Sequence, residues 1–262
     1  MAISTFNKVL LFLAAFVAAL FVVAWFYFSA TAPDDSLVPS LTPPRTSSGA
    51  LSMAPTPLLT RFTDADDSMQ VKGVPFTSQA PFGNWSDPRQ QDGCEEASVL
   101  MAVHWFRGET FTLKEAEAEI LKISDWELQK YGTYHDTSPA DTVTRLIKDY
   151  FKYQNAEAVE GISLVDMKNE LRKGNLVLVQ VDGRALKNPN YTTPGPERHM
   201  MVVTGYDAAA QEFITNDPGT RKGENYRYGE YKLWQAMRDY PTGDHLPINE
   251  IKKSMIIVSP EA

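Results

Sequence analysis

Cysteine is almost missing from this chain: one residue, Cys94, stands in 262. No internal disulfide can form and no cysteine-rich zinc site can be built, so burial and hydrogen bonding have to hold the fold. Histidine is scarce as well. His104, His135, His199 and His245 lie far apart, without the spacing that sets two imidazoles on one helix face. No metal or cofactor is expected. Basic runs longer than a pair are also absent, and the net charge is -8 with a pI near 5.1. Both argue against a nucleic-acid partner, which needs clustered lysines and arginines. The sequence has no internal repeats either.

Hydrophobic residues, in contrast, are arranged in two distinct ways. Val9 to Phe28 is an unbroken run of twenty apolar residues, and as a helix it rises about 30 Å, the thickness of the hydrocarbon layer. A membrane-spanning anchor over residues 1–32 is expected, with the helix at about 9–28. Cleavage as a signal peptide at Ala30-Thr31-Ala32 is the alternative, giving a secreted protein, but the run is longer than such peptides use. Lys8 and the amino terminus precede the run and Asp34 and Asp35 follow it, so the N-terminus is expected in the cytoplasm and the remainder outside. Residues 33–70 carry six prolines with many serines and threonines and no amphipathic period. They read as a disordered tether.

Residues 71–262 mix helix and strand signals, as expected of one α+β domain. A helix is predicted from Cys94 to Phe106, ended by Gly108. Thr112 and Glu115 form a capping box for a helix through about Ile123, with a short one from Trp126 to Tyr131. Ser138-Pro139 opens a helix ending near Phe151, and Ser163 caps another ending at Gly174. Leu176 to Val181 reads as a buried strand. His199–Tyr206 and Glu212–Asn216 read as a hairpin turning through 207–211, Met255–Val258 as a strand closing the sheet, and 232–239 as a helix.

Asp92-Gly93-Cys94-Glu95-Glu96-Ala97-Ser98 places the lone thiol at a helix start, where unsatisfied N–H groups and the helix dipole favour a thiolate. A small buried hydrophobe is the competing reading. A cysteine nucleophile needs a base and a group to orient that base. His104 lies ten residues along the same helix, about 15 Å away, too far to serve. His135 and His245 sit in loops where a solvated role is the default. His199 opens a strand. With the turn centred on Ala209, residue 201 faces 217, and His199 and Asp217 become diagonal neighbours at the open end. An exposed histidine and a turn aspartate would fit the same pattern. A glutamine amide is one way to supply an oxyanion donor, and Gln79, Gln90 and Gln91 are candidates.

Val74-Pro75-Phe76-Thr77-Ser78-Gln79, Gly93-Cys94-Glu95-Glu96-Ala97-Ser98, Arg198-His199-Met200-Met201-Val202-Val203-Thr204-Gly205-Tyr206 and Asn216-Asp217-Pro218 occur in that order. The set resembles the papain-like cysteine peptidases related to the bacteriocin-processing, double-glycine leader peptidases, over roughly residues 71–220. The resemblance implies a papain-like fold, with a helical N-terminal part that carries the nucleophile helix and a C-terminal antiparallel sheet. It implies Cys94 as nucleophile, His199 as base, Asp217 as its orienting acid and Gln79 in the oxyanion hole. The activity implied is that of a membrane-anchored, extracytoplasmic cysteine peptidase acting on a peptide or protein substrate through a thioester. Two departures stand out. Gln79 precedes Cys94 by fifteen residues, so 80–91 must loop out, and Glu95-Glu96 replaces the Gly-Pro of the bacteriocin-processing members. A catalytically inactive module binding surface or cell-wall peptides, and a transglutaminase-like acyl transferase, are the alternative functions.

Overall fold

Leu-Val-Leu-Val-Gln-Val at 176–181 has no polar alternation, which in a strand means that both faces are covered. A computed structural model describes residues 67–260 and shows how. Seven strands form one sheet: β1 Met69–Gln70, β2 Ala156–Glu160, β3 Leu176–Val181, β4 His199–Asp207, β5 Glu212–Asn216, β6 Tyr226–Gly229 and β7 Ser254–Val258. Their order is β2-β7-β3-β4-β5-β6, with every pair antiparallel. β1 pairs with the end of β4 at Tyr206 and Gly205. Because β5 holds one edge there, β1 lies on the edge that β3 covers farther along.

Alternate residues of the central strands feed two cores. Leu176, Leu178, Met200, Val202, Ile256 and Val258 face one cluster, and their odd-numbered neighbours face the other. The first face is covered by α2 Cys94–Arg107, α3 Leu113–Tyr131 and α4 Pro139–Asp141, which widens into a π-helix over Thr142–Tyr150. The second is covered chiefly by α5 Leu164–Arg172 and α7 Glu230–Ala236. Short helices α1 Pro88–Gln91 and α6 Gly183–Leu186 complete the α+β architecture. Every residue of α2 from Cys94 to Val103 is buried. At about 1.5–3 kcal/mol for each large apolar side chain covered, that helix is the anchor of its core.

Several expectations require correction. Leu113–Tyr131 is one helix, not two: no glycine or proline interrupts it, and Ala116, Ile120, Ile123, Ser124 and Glu127 make one continuous buried stripe. Gly132, in the left-handed region at φ 80°, ends it. Met255–Val258 does not close the sheet but belongs to β7, which lies between β2 and β3. The helix expected over 232–239 starts at Glu230 and ends at Ala236, after β6. Val74 to Phe76, strand-like in sequence, is irregular. The expected membrane span and most of the tether lie outside the described residues; within them no helix is long and apolar enough to cross a membrane.

Candidate active site

The β4–β5 hairpin builds half of the site. Near its turn Asp207 faces Glu212 and Gly205 faces Ile214, but at the open end Val203 faces Thr215 and Val202 faces Asn216. A bulge at Thr204 absorbs the difference. Without that extra residue the strand end would be out of step by one, and alternate side chains would exchange faces. With it, His199 at the start of β4 and Asp217 just past β5 meet: His199 Nε2 lies 2.8 Å from Asp217 Oδ1, both side chains fully buried. The remaining capacity of the carboxylate is filled. The Tyr191 and Tyr228 hydroxyls donate to Oδ2 at 2.6 Å each, and the Gly219 N–H donates to Oδ1 at 2.9 Å. Burial pushes Asp217 upward, but the His199 charge and these hydrogen bonds outweigh it and hold the carboxyl below its ordinary value. Gly219 is required here, since a Cβ would stand 2.9 Å from the His199 ring.

The other half is the start of α2. A Cβ at Gly93 would meet the Arg89 carbonyl at 2.8 Å, so glycine lets the chain turn tightly into the helix. Cys94 follows, 6% exposed. Ser98 Oγ donates to the Met200 carbonyl at 3.3 Å, and the Met200 backbone hydrogen-bonds the thiol, so α2 is seated on β4 beside His199. The thiol itself donates to Glu95 Oε2 at 2.9 Å. Glu95 Oε1 accepts from the Tyr240 hydroxyl at 2.7 Å and the Thr137 N–H at 3.3 Å. Gln180 of β3 ties both segments down, donating to Thr137 O at 2.6 Å and accepting from Tyr240 N at 3.0 Å.

This environment opposes the helix dipole. Burial, then the charge of Glu95 and its hydrogen bond, push the Cys94 thiol well above its ordinary value, with the Met200 backbone pulling the other way. Burial and the nearby Asp136 raise Glu95 to about 7. Behind it, burial and the charges of Glu127 and Glu95 push Glu96 well above its ordinary value, and burial and Glu95 raise Glu127 to about 8. Ser124 Oγ donates to Glu96 at 2.8 Å.

Gln79 sits against this helix start: its Cβ would lie 3.7 Å from a Cβ on Gly93. Its backbone N–H donates to Pro218 O at 2.9 Å, linking it to the aspartate segment. Its amide donates to Gln90 O at 3.0 Å and Gln91 O at 2.7 Å, the end of α1. The four residues singled out in the sequence therefore gather at one end of β4, with Gln79 beside the thiol's helix, although both amide donors of Gln79 are engaged. The model of the Peptidase C39-like family matches residues 71–242. The chain belongs to that family. A solved structure from Bacillus anthracis assigned as a C39-like peptidase is 15% identical, over 74% of this chain and 99% of that one, at a TM-score of 0.47. No curated protein matches the sequence.

Membership in the Peptidase C39-like family makes a peptidase, and a cysteine chemistry for it, the coarse functional assignment. Two hollows flank the site and share Gln91, Pro196 and Arg198. One, of about 470 Å³, reaches Gln79 and His199; the other, of about 590 Å³, reaches Cys94. The second brings in a histidine read from sequence as a solvated loop residue: His245 is half exposed, with Nδ1 3.1 Å from Asp136 and Nε2 3.8 Å from Asp92. His135, less exposed, lies 3.7 Å from Asp92. Among the described residues no group of three or more such side chains is arranged to hold a metal ion. His104 is remote from the site and lies 3.7 Å from Glu109.

Sequence reasoning missed Tyr191, Tyr228, Gln180 and Tyr240. No spacing links them to Cys94 or Asp217. The one available signal was Gln180, a polar residue inside an otherwise apolar strand, and such a residue needs buried partners.

Proposed function

We propose that this protein is a cysteine peptidase in which Cys94 attacks a peptide carbonyl, with His199 as base and Asp217 as its orienting acid. The observation that carries the reading is the buried His199–Asp217 pair, 2.8 Å apart, held next to the helix that presents the only thiol. Since Nε2 faces Asp217, the tautomer with the proton on Nε2 is favoured and Nδ1 keeps the lone pair for the thiol proton. The thiolate adds to the carbonyl carbon, and the oxyanion is met by the Cys94 N–H, which has no acceptor within its own helix. Gln79 joins it by releasing one of its two carbonyl partners. His199 gives its proton to the leaving amine as the C–N bond breaks, leaving a thioester. Water, deprotonated by His199, then attacks the thioester and restores the thiol as the acid departs.

A second reading, a silent module that binds surface or cell-wall peptides, is favoured by one observation: the thiol's hydrogen bond runs to Glu95. The two separate in one assay. Full-length protein is incubated with an unfolded protein substrate, beside Cys94→Ala and His199→Ala. The peptidase reading expects cleavage by the wild type and a loss of roughly 10³-fold or more in each variant. Cleavage that survives in Cys94→Ala, or is absent from the wild type, would sink it. The placement outside the cytoplasm on an N-terminal anchor belongs to the same proposal and rests on the apolar run and its flanking charges.

A further inference from the structure

The turn that holds Asp217 also carries two cations that nothing pairs. Asp217 N donates to Gly223 O at 3.0 Å, Gly223 N to Thr220 O at 3.2 Å and Lys222 N to Thr220 Oγ1 at 3.2 Å. Thr220 is buried, and a Cβ on Gly223 would overlap the Asp217 carbonyl, so the segment is pinned to the aspartate. Arg221 and Lys222 project from this fixed turn, exposed, and among the described residues their side chains have no ion pair or hydrogen bond. Other arginines of the surface behave differently. Arg89 is held by Asp87 and Asp125, Arg227 by Asp207 and Glu212, and Arg198 by Asp136 and the Leu246 carbonyl.

Both free cations line the 470 Å³ hollow, whose walls also include Gln79, His199, Tyr191 and the 42% exposed Trp85. No residue lining it is a carboxylate, although the protein carries a net charge of -8. The hollow on the Cys94 side is mixed: Asp92, Asp136 and Glu197 share its wall with Arg184, Arg198 and His245, and its two arginines are paired, with Glu197 and Asp136. A negative group is therefore drawn to the His199 side, where the cations of Arg221 and Lys222 have no acid in the wall to pair with. Arginine adds a planar fork that matches a carboxylate in two hydrogen bonds.

We propose that the hollow beside His199 is a substrate subsite for a carboxylate, bound by Arg221 and Lys222, and that the protein selects peptides presenting one next to the attacked bond. This rests on the peptidase reading above. The carboxylate can be that of an internal Asp or Glu or that of the substrate's C-terminus, and the chemistry of the site is the same for both.

The test uses the full-length Cys94→Ala protein and four pools of N-acetylated random hexapeptides. Each pool has either Glu or Gln at one fixed position and either a free or an amidated C-terminus. At low salt, a carboxylate pool is expected to bind roughly tenfold tighter than the amidated Gln pool, because charged hydrogen bonds at an exposed site are partly screened. Which pool gains identifies the source. The ratio should fall to about one in Arg221→Gln/Lys222→Gln and persist in Arg221→Lys/Lys222→Arg. Four pools that bind alike, or none that binds, or a preference that survives the double Gln variant, overturns the proposal. Wild-type protein on the same pools separates the two readings. Cleavage without preference overturns the subsite and leaves the peptidase, whereas discriminating binding without any cleavage supports the subsite and overturns the peptidase.

Discussion

The two halves of the site are prepared in opposite senses. On the hairpin side a carboxylate is buried and fully satisfied: one imidazole, two tyrosine hydroxyls and a backbone N–H fill its lone pairs, and it stays ionised. On the helix side three carboxyls, Glu95, Glu96 and Glu127, are buried with fewer donors and drift toward neutrality, taking the Cys94 thiol with them. Burial is shared by both halves, so the neighbours decide: a histidine charge and several donors surround Asp217, whereas other carboxylates surround the three glutamates. The His199–Asp217 pair is thus assembled in the resting protein, whereas the Cys94 thiol is kept protonated with its proton directed at Glu95.

Four changes probe that contrast. The largest effect is expected from Asp217→Asn, which removes the group that holds His199 in its tautomer. kcat should fall by roughly 10²–10⁴, the usual worth of an acid–base group. A fall of less than tenfold would mean that the buried pair does not orient the base. Next is Gln180→Leu, which orphans the Tyr240 N–H in the core and leaves the Thr137 carbonyl only the Thr142 hydroxyl, at 3.2 Å. At about 1–3 kcal/mol for an unpaired buried group, denaturant melts should show a loss of about 2 kcal/mol. An unchanged midpoint would show that Glu95 is held by other means.

Stability against pH comes third. Glu95 is raised from 4.5 to about 7 and Glu127 to about 8, so between these limits the native state binds more protons than the unfolded chain. Stability then falls as pH rises from about 5 to about 8. Asp217 acts with the opposite sign, since its contribution is present above 3.8 and is lost as pH falls below it. A melt that is flat or rising between pH 5 and 8 would contradict the account of the helix side. The smallest effect is expected from Glu95→Gln. It removes a negative charge 2.9 Å from the sulfur, and alkylation of Cys94 by iodoacetamide at pH 7 should speed up about tenfold, one unit of thiol pKa. A rate equal to or below that of the wild type would show that Glu95 does not hold the thiol proton.

Much of the frame was legible in local pattern. Helix α2 begins at Cys94 and ends at Gly108 as read, the Thr112–Glu115 capping box is formed, and Ser163 caps its helix. β3 has the predicted bounds because a six-residue apolar run between turns has few alternatives. The meeting of His199 and Asp217 was legible for a subtler reason. A turn centred on Ala209 gives the observed register at the open end, but the actual turn is shifted by half a residue and the bulge at Thr204 restores it. The central place of β7 escaped, because strand order depends on pairings between residues far apart in sequence.

The sequence by itself determined which groups exist: one thiol at a helix start, a histidine opening a strand, an aspartate closing its partner, and two glutamates after the thiol. It also marked 176–181 as a buried strand, since that run is apolar except for Gln180. Only the tertiary structure decided the state of each group. Tyr191 and Tyr228 reach Asp217 across 26 and 11 residues, and Tyr240 reaches Glu95 across 145. Ionisation inside a protein follows the charges and hydrogen-bond donors gathered around a buried group, and packing sets both.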